Sequence, residues 1–233
     1  MLTDIRSAIP HTMCYLILLS SGLIVSYALH ASQGGGITAD STSGTQINSN
    51  GTVLSITGGT LNGTNLLHSF DQFNIETGQT ADFQAAAHTQ NIVSRVTGPN
   101  DSWIDGTVKS TTSNADLYLI NPHGILMGEN ARLDVNGTFH ASTADYVRLE
   151  DGQRIYADPN QDVTLTVAAP EAFGFLDNHV GTLQIKGSEL TTQPSQTISL
   201  IGGAIDITGA KLATSGGRIN HGCHGDCRGS TTH

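Results

Sequence analysis

The chain has 233 residues and carries 10 Lys and Arg against 20 Asp and Glu, a formal net charge of −10. Charged residues make up 13% of the sequence, about half of the usual share, and 27 residues are glycine. This composition excludes a highly charged disordered protein and a coiled coil, and it favours an all-β protein with many turns. Because there is no Lys or Arg cluster, nucleic acid and anionic membrane surfaces are also excluded as partners.

Residues 1–28 are predicted to be a secretory signal peptide. The apolar stretch Met13–Val25 has the length of a signal h-region, and it is shorter than the about 20 residues of a membrane span. Small residues at Ser26 and Ala28 predict cleavage after Ala28, with cleavage after Ala31 as the alternative. No second run of spanning length follows, so we expect an exported mature chain that does not span a membrane.

From Gly34 onward, apolar residues recur at every second position, which predicts strands with one buried face. The clearest examples are Val53–Ile56, Leu117–Ile120, Thr164–Val167 and Thr197–Leu200. Two short segments are candidates for a helical turn, Gln84–His88 and Pro170–Phe173. The pattern therefore predicts strands in nearly all of the mature chain.

A motif of two alternating aliphatic residues followed by glycine recurs along the chain. Its copies are Leu54–Leu61, Leu133–His140, Leu183–Leu190 and Ile205–Leu212, with a weaker copy at Trp103–Val108. The last two copies are separated by roughly 22 residues, a spacing typical of solenoid repeats. The longer intervals between the earlier copies fit three and two such periods plus protruding loops or hairpins.

This repeat favours a parallel β-helix over the alternative, a β-sandwich. A β-sandwich also has frequent turn signals, but it does not require a period of this length. We expect about nine coils, with residues 34–52 as a cap that covers the open end.

Several segments of residues 65–146 closely resemble the N-terminal domain of filamentous haemagglutinin, the two-partner secretion domain of large bacterial exoproteins. They are Asn65–Ile75, Asn91–Gly98, Leu117–Ile125 and Ala131–Thr143, and Pro170–Phe175 resembles a downstream segment of the same family. The resemblance covers about residues 34–212. It implies a right-handed parallel β-helix with an N-terminal cap and short extra-helical hairpins, which we assign to residues 29–215.

The resemblance also implies a function. In that family the domain is the address for export: the POTRA domains of an outer-membrane β-barrel transporter bind it in the periplasm, and the exoprotein then folds outside the cell. We therefore expect a secreted or cell-surface protein of a Gram-negative-type bacterium, exported via the periplasm. The alternative is a surface adhesin that binds host glycans or surface proteins, and a β-helix enzyme that degrades polysaccharides is a further rival.

By resemblance, the family's Asn-Pro-Asn-Gly-Ile motif falls on Asn121, Pro122, His123, Gly124 and Ile125, with His123 in place of the second Asn. Asn before Pro, with Gly two residues later, is also an ordinary turn sequence. We expect this motif to be a turn that shapes the fold, and transporter recognition to depend on that shape.

A second set of candidate residues belongs to the cap or the core. Phe70, Gln72, Phe73 and Asn74 lie in the first segment of the resemblance, and we expect them to form the fold rather than to contact a partner. The family's other tetrapeptide, Asn-Pro-Asn-Leu, falls near Gly98–Asp101 and is not preserved. This departure leaves open which transporter accepts the chain.

Catalytic patterns are missing from the sequence. Glycoside hydrolysis needs two carboxylates about 5–10 Å apart, whereas Asp105, Asp116, Asp134 and Asp145 occur singly beside predicted turns. The sequence contains no Gly-x-Ser-x-Gly, His-Glu-x-x-His or phosphate-loop motif. We expect neither catalysis nor a cofactor.

Residues 216–233 are predicted to be a disordered tail. The segment His221–Cys227 holds two Cys and two His, a set that suits zinc, but the spacing of Cys223 and Cys227 is not that of a standard zinc site. The Gly-rich surroundings favour terminal disorder, so no metal is expected. The remaining cysteine, Cys14, lies in the predicted signal peptide, so the mature chain keeps only Cys223 and Cys227. We therefore expect that the fold does not depend on disulfides.

Overall fold

The computed structural model describes residues 36–110, 114–161, 163–176, 181–223 and the backbone of 228–229. The predicted signal peptide lies outside the described residues, which belong to one compact unit that begins at Gly34. Within them the chain forms β-strands and no helix. The strands are β1 (Ile37–Ala39), β2 (Thr45–Asn50), β3 (Val53–Gly58), β4 (Thr60–Asn62), β5 (Asn65–Phe73), β6 (Thr80–Phe83), β7 (Asn91–Val96), β8 (Ser102–Ile104), β9 (Thr107–Ser110), β10 (Asp116–Ile120), β11 (Gly124–Met127), β12 (Arg132–Val135), β13 (Phe139–Ser142), β14 (Tyr146–Leu149), β15 (Arg154–Tyr156), β16 (Pro170–Gly174), β17 (Thr182–Lys186), β18 (Glu189–Thr191), β19 (Ile198–Gly202), β20 (Ala204–Thr208), β21 (Lys211–Ala213), β22 (Ile219–Cys223) and β23 (Arg228–Gly229).

Three parallel sheets form the three faces of a solenoid. Face 1 contains β5, β7, β10, β13, β19 and β22; face 2 contains β8, β11, β17, β20 and β23; face 3 contains β3, β6, β9 and β12. A coil passes through the faces in this order, as in β7–β8–β9 and β10–β11–β12, and β18 and β21 take the third position in later coils. The predicted parallel β-helix is thus confirmed, with about seven turns rather than nine.

The repeat copies lie on two different faces, which corrects the predicted spacing. Leu54, Ala81, Val108 and Leu133 stand in register on face 3, so the interval from Leu54 to Leu133 consists of three complete coils, each longer than the predicted period. The expected protruding loops are therefore not present in this interval. The two later copies stack on face 2, one coil apart as predicted. Longer early coils are one reason why there are fewer turns than predicted.

Alternate side chains of the solenoid strands point into one continuous core. On face 1, Ile92, Leu117, Phe139 and Ile198 stack in successive coils, and each is at most 1% exposed. Full burial of such a side chain stabilises the fold by about 1.5–3 kcal/mol relative to exposure. Because every coil repeats the contact, the core extends from one coil to the next.

Two antiparallel strands close the N-terminal end, as predicted for residues 34–52. β1 pairs with β5 at the edge of face 1, and β2 pairs with β3 at the edge of face 3. These strands satisfy backbone groups that an open coil would leave unpaired. The side chains of β2 are mainly polar and exposed, which suits a sheet edge in water.

An excursion between β13 and β17 covers the outside of face 1. Here β14 pairs with β15 and β16 in a three-stranded antiparallel sheet, the hairpin sheet. A second apolar cluster joins its inner side to face 1, and its buried members are Leu67, Val93, Tyr118, Ile120, Val147, Leu149 and Ile155. The expected extra-helical hairpin is present, and its residues account for much of the remaining difference in the number of turns.

Two local predictions within this excursion are wrong. Thr164–Val167 does not form a strand, because Asn side chains rather than a neighbouring strand bind carbonyls there: Asn65 Nδ2 donates to Thr166 O at 2.9 Å and to Ala168 O at 2.6 Å. Pro170–Phe173, a candidate helical turn, instead belongs to β16, where it pairs with β14.

The C-terminal segment differs from the expected disordered tail. Within residues 216–233, Ile219–Cys223 forms β22, which pairs in parallel with β19 along its whole length. The unpaired edge of β19 explains this order, because the backbone groups of β22 that face β19 gain hydrogen-bonding partners without help from the side chains. Cys223 forms a disulfide. Residues 224–227, Cys227 included, and residues 230–233 lie outside the described residues.

Candidate functional site

The predicted motif is a turn between β10 and β11, where the chain passes from face 1 to face 2. Asn121 is fully buried. Its Nδ2 donates to Asn100 O and to Ser102 Oγ, both at 3.0 Å, and its Oδ1 accepts the backbone N–H of His123 at 3.0 Å. One amide therefore closes the turn and attaches it to the preceding coil.

Contacts with the following coil hold the same turn from the other side. The backbone N–H of Asn121 donates to Ser142 O at 2.9 Å, and Gly181 N donates to Pro122 O at 3.0 Å. A Cβ on Gly181 would lie 2.3 Å from Pro122 O, so this approach requires glycine. Gly124 has φ +145°, a conformation that other residues rarely adopt. The turn is thus fixed between two coils.

Only part of the motif faces solvent. Ile125 is fully buried in the core and pairs in register with Leu183 of the next coil. Pro122 is half-buried, and His123 is exposed. The side chains of Asn121 and Ile125 shape the fold, whereas Pro122 and His123 are the members that can meet another molecule.

Phe70 and Phe73 lie at the capped end of the core. Together with Phe83 they form an aromatic cluster, with ring centroids 5.1 Å apart for Phe70 and Phe73 and 6.0 Å apart for Phe73 and Phe83. Each of the three is at most 1% exposed. Their aromatic rings are therefore inaccessible to a partner in the folded domain.

The two polar residues of this segment are placed differently. Asn74 is buried, and its Oδ1 accepts the backbone N–H of Trp103 at 2.8 Å, which links consecutive coils. Gln72 is half-buried, and it pairs through its backbone with Thr38 of the cap strand β1. Both residues lie where the first coil meets the cap.

Pro122 and His123 also line a cavity that the sequence did not reveal. It measures about 480 Å³, and its opposite wall is the hairpin-sheet loop Tyr156–Gln161. Asp145 and Leu176 also line this cavity, which we call the corner cleft. Because its two walls come from different strands and are distant in the chain, no local sequence pattern could join them.

A buried arginine fixes the loop wall of the corner cleft. Arg95 on β7 is 4% exposed. Its Nε donates to Ser69 Oγ at 2.8 Å, one terminal nitrogen donates to Tyr156 O at 2.6 Å, and the other donates to Thr42 Oγ1 at 3.0 Å. The guanidinium thus connects face 1, the hairpin sheet and the cap.

Asp40 of the cap completes this polar network. Its Oδ2 accepts Ser69 Oγ at 2.5 Å and Thr97 Oγ1 at 2.8 Å. Burial raises the pKa of Asp40, but the hydrogen bonds from Ser69, Thr42 and Thr97 outweigh burial and hold the pKa below its ordinary value. Burial also lowers the pKa of Arg95, against the attraction of Asp40 and Asp158. The sequence signal for this network was one arginine in the otherwise uncharged strand β7.

Asp105, Asp116 and Asp145, three of the four acidic residues considered for catalysis, have structural partners. Asp105 accepts hydrogen bonds from Asn130 and Thr77 at a corner of the solenoid, and Asp116 accepts the N–H of Thr138 at 2.8 Å. Asp145 accepts the N–H of Leu176 in the corner cleft. In the part of the chain that the structure describes, no three His, Cys, Asp or Glu side chains are grouped to hold a metal ion. No described helix could cross a membrane.

The fold is a β-solenoid with an N-terminal cap and a turn fixed between two coils. The model of the TPS secretion domain family matches residues 35–228. The chain therefore belongs to this family of two-partner secretion domains, which confirms the resemblance found in the motifs. Exoproteins of the family are secreted with the help of a partner transporter, and the family is not a known enzyme family.

Individual relatives cover different parts of the chain. The structure is similar to the HMW1 secretion domain from Haemophilus influenzae, with a TM-score of 0.56 and 20% identity, over 81% of this chain and 45% of that one. It also matches the filamentous haemagglutinin secretion domain, with a TM-score of 0.42 and 13% identity, over 83% and 99%. In sequence, 84 residues are 34% identical to a haem/hemopexin-binding protein of H. influenzae, over 36% of this chain and 8% of that protein. The chain thus spans less than half of the HMW1 structure and a small part of the curated relative.

Proposed function

We propose that this domain is the export address of an exoprotein and is recognised in the periplasm by the POTRA domains of an outer-membrane β-barrel transporter. Membership of the TPS secretion domain family supports export by a two-partner system. The turn at Asn121–Ile125 is the observation that supports recognition by the transporter. Its backbone is held from two coils, while Pro122 and His123 reach the surface. A partner can therefore recognise a fixed shape wherever the coils on both sides of the turn have formed.

The route follows from the same proposal. Residues 1–28 direct the chain to the periplasm of a Gram-negative-type bacterium, and the transporter carries it to the cell surface or the medium. The solenoid suits this transfer, because each coil offers unpaired strand edges on which the next coil can add. Folding outside the cell then proceeds from the capped end, where β1 and β2 already cover the first coil.

Export with and without the transporter tests the proposal. The full chain is expressed in a Gram-negative host, alone or with the two-partner transporter encoded in the same genome, and the chain is quantified in periplasm and medium. We expect it in the medium only with the transporter, and deletion of the transporter's POTRA domains should return it to the periplasm. Equal amounts in the medium with and without the transporter would contradict the proposal.

An agglutination assay separates this function from the adhesin alternative. The purified chain is mixed with erythrocytes, and a domain that acts only as an export address gives no agglutination. Agglutination by the isolated chain would instead support binding of host glycans or surface proteins.

A further inference from the structure

A second cavity lies at the corner of the solenoid where the chain passes from face 3 to face 1, between β6 and β7. It measures about 670 Å³, which is within the range of volumes that protein ligand sites occupy. Residues 87–91 of the corner line it, together with Asp116 on β10 and with Ala169 in the excursion that carries the hairpin sheet. We call this cavity the polar pocket.

Backbone hydrogen bonds fix the corner that lines the polar pocket. Gln90 N and Asn91 N both donate to Thr64 O, at 2.9 Å and 3.1 Å. Asp116 N donates to Gln90 O at 2.8 Å, which joins the next coil to the same segment. The pocket therefore has a preformed shape once these coils have folded.

A buried hydroxyl in the wall of the polar pocket has no partner. Thr89 lines the pocket and is 1% exposed, yet its Oγ1 forms no hydrogen bond among the described residues. Buried polar groups in folded proteins are nearly always hydrogen-bonded, because an unmade bond costs free energy. This hydroxyl can donate to a molecule in the pocket or accept from it, so it points to a polar ligand.

The other polar groups of the lining combine donors and acceptors. Asn91 and Asp116 stand side by side in register on β7 and β10. Asp116 Oδ1 accepts the N–H of Thr138 at 2.8 Å, and Asp116 forms no ion pair among the described residues. The exposed side chains of His88 and Gln90 complete this surface. An amide and an imidazole can both donate and accept, whereas a carboxylate only accepts.

The composition of the lining indicates the class of ligand. Lys and Arg are absent from the described lining residues, so an anion would find no opposite charge there. A single carboxylate does not make a metal site, and no three possible metal ligands are grouped in the described part of the chain. The apolar lining residues that the structure describes are Ala87 and Ala169, which offer little surface to a lipid or an aromatic ring. An uncharged molecule rich in hydroxyl groups matches this lining, because each hydroxyl both donates and accepts.

We propose that the polar pocket binds a neutral sugar, whose hydroxyl groups bond to Thr89 Oγ1, to Asp116 and to the exposed side chains of His88 and Gln90. The pocket belongs to the folded domain, which is present outside the cell, so the inference does not rest on recognition by the transporter. It is compatible with a lack of agglutination by the purified chain, because one site does not cross-link two cells.

Saturation-transfer NMR on the purified full chain tests the proposal. The probes are glucose, galactose, mannose and N-acetylglucosamine, and N-acetylneuraminic acid is the charged comparison. We expect at least one neutral sugar to bind with a dissociation constant of about 1 mM or lower. The acidic sugar should bind about tenfold more weakly than that neutral sugar, because Asp116 repels its carboxylate.

The variant Thr89→Val separates contact with the ligand from a role in the fold. Val keeps the shape of Thr without the hydroxyl, and since this hydroxyl has no partner, thermal unfolding should show no loss of stability. Binding of the sugar should weaken about tenfold. The matched control is Ser188→Ala, which removes another buried hydroxyl without a described partner, outside the pocket, and should change the affinity less than about twofold.

A second variant, His88→Ala, changes an exposed side chain of the lining and should also weaken binding. It decides the question alone if Thr89→Val does not fold. Weaker binding by the pocket variants, with the affinity of Ser188→Ala unchanged, supports the polar pocket. Equal binding by wild type and both pocket variants overturns it, because the sugar then binds elsewhere. Binding of none of the neutral sugars by wild type, or of the acidic sugar alone, overturns it as well, and export through the transporter is measured separately from all of these results.

Discussion

The solenoid and the hairpin sheet are both made of β-strands, but they are held in different ways. In the solenoid, successive strands are parallel, and equivalent apolar residues such as Ile92, Leu117 and Phe139 stack directly on each other. In the hairpin sheet, strands are antiparallel, and polar side chains of face 1 make specific bonds to the excursion. Asn65 binds Thr166 O and Ala168 O, and Arg95 binds Tyr156 O.

This difference indicates a division of roles. A stacked core tolerates change in the sequence as long as the apolar pattern is kept, because burial is not directional. Hydrogen bonds from single side chains depend on the identity of each donor. The hairpin sheet is therefore suited to carry features particular to one chain, such as the loop wall of the corner cleft, on a solenoid common to the family.

The largest effect of a single substitution is expected from a cavity in the solenoid core. Phe139→Ala removes a fully buried ring between Leu117 and Ile198, and it should lower the free energy of unfolding by about 3–5 kcal/mol. Urea unfolding followed by circular dichroism measures the change. Phe139→Leu, which keeps most of the apolar volume, should lose much less. Equal losses for the two variants would show that stacking does not dominate the stability of the solenoid.

The same contrast explains what the sequence could predict. The repeat that includes Leu183–Leu190 and Ile205–Leu212 revealed stacked strands, because burial of alternate residues leaves a local pattern. The pattern does not distinguish face 2 from face 3, since both faces bury alternate residues, and so the repeat includes copies from both faces. The turn at Asn121 was predictable from Asn, Pro and Gly.

The contacts of the excursion were not predictable in this way. Asn62 and Asn65 lie far from their carbonyl partners in the chain, and Asn62, which precedes Gly63, has the sequence context of a turn. Arg95 binds three segments, and the residues next to it in the sequence do not indicate that Thr42 and Tyr156 are its partners. Such bonds depend on the finished fold, so local sequence carries no signal for them.

Acid should weaken both regions through one buried histidine in each. Burial lowers the pKa of His68, in the capped core, and of His140, under the hairpin sheet, to about 4. Both imidazoles are neutral when folded but take up a proton in the unfolded chain below its pKa of about 6.5. The two neutral histidines therefore contribute fully to the free energy of unfolding above pH 6.5. Each contribution falls by roughly 3 kcal/mol as the pH falls to 4.

Urea unfolding from pH 7 to pH 4 measures this dependence. His140→Phe, which keeps a ring to stack on Tyr118 at the present 4.2 Å, should remove about half of it. His68→Leu should remove the other half. A wild-type slope unchanged in both variants would assign the acid sensitivity to other groups.

A smaller effect, concentrated in the hairpin sheet and the cap, is expected from Arg95→Met. The variant loses bonds to Ser69, Tyr156 and Thr42, and it should cost about 2–3 kcal/mol. Hydrogen exchange should rise in the hairpin sheet and the cap more than on face 2. The control is Arg148→Ala, whose ion pair with Glu171 is exposed and contributes at most about 1 kcal/mol. Uniform exchange across the domain would refute separate stabilisation of the two regions.

The smallest effect is expected where the solenoid meets the motif turn. Gly181→Ala places a Cβ 2.3 Å from Pro122 O, so the turn must shift, at a cost of about 1–2 kcal/mol. Gly36→Ala is the control, because its Cβ would meet nothing within 4 Å. Since Pro122 belongs to the turn that we propose the transporter recognises, Gly181→Ala should reduce export through the transporter more than its loss of stability explains. If the export of Gly181→Ala falls only as far as its loss of stability explains, as expected for Phe139→Leu, then the shape of the turn is not what the transporter recognises.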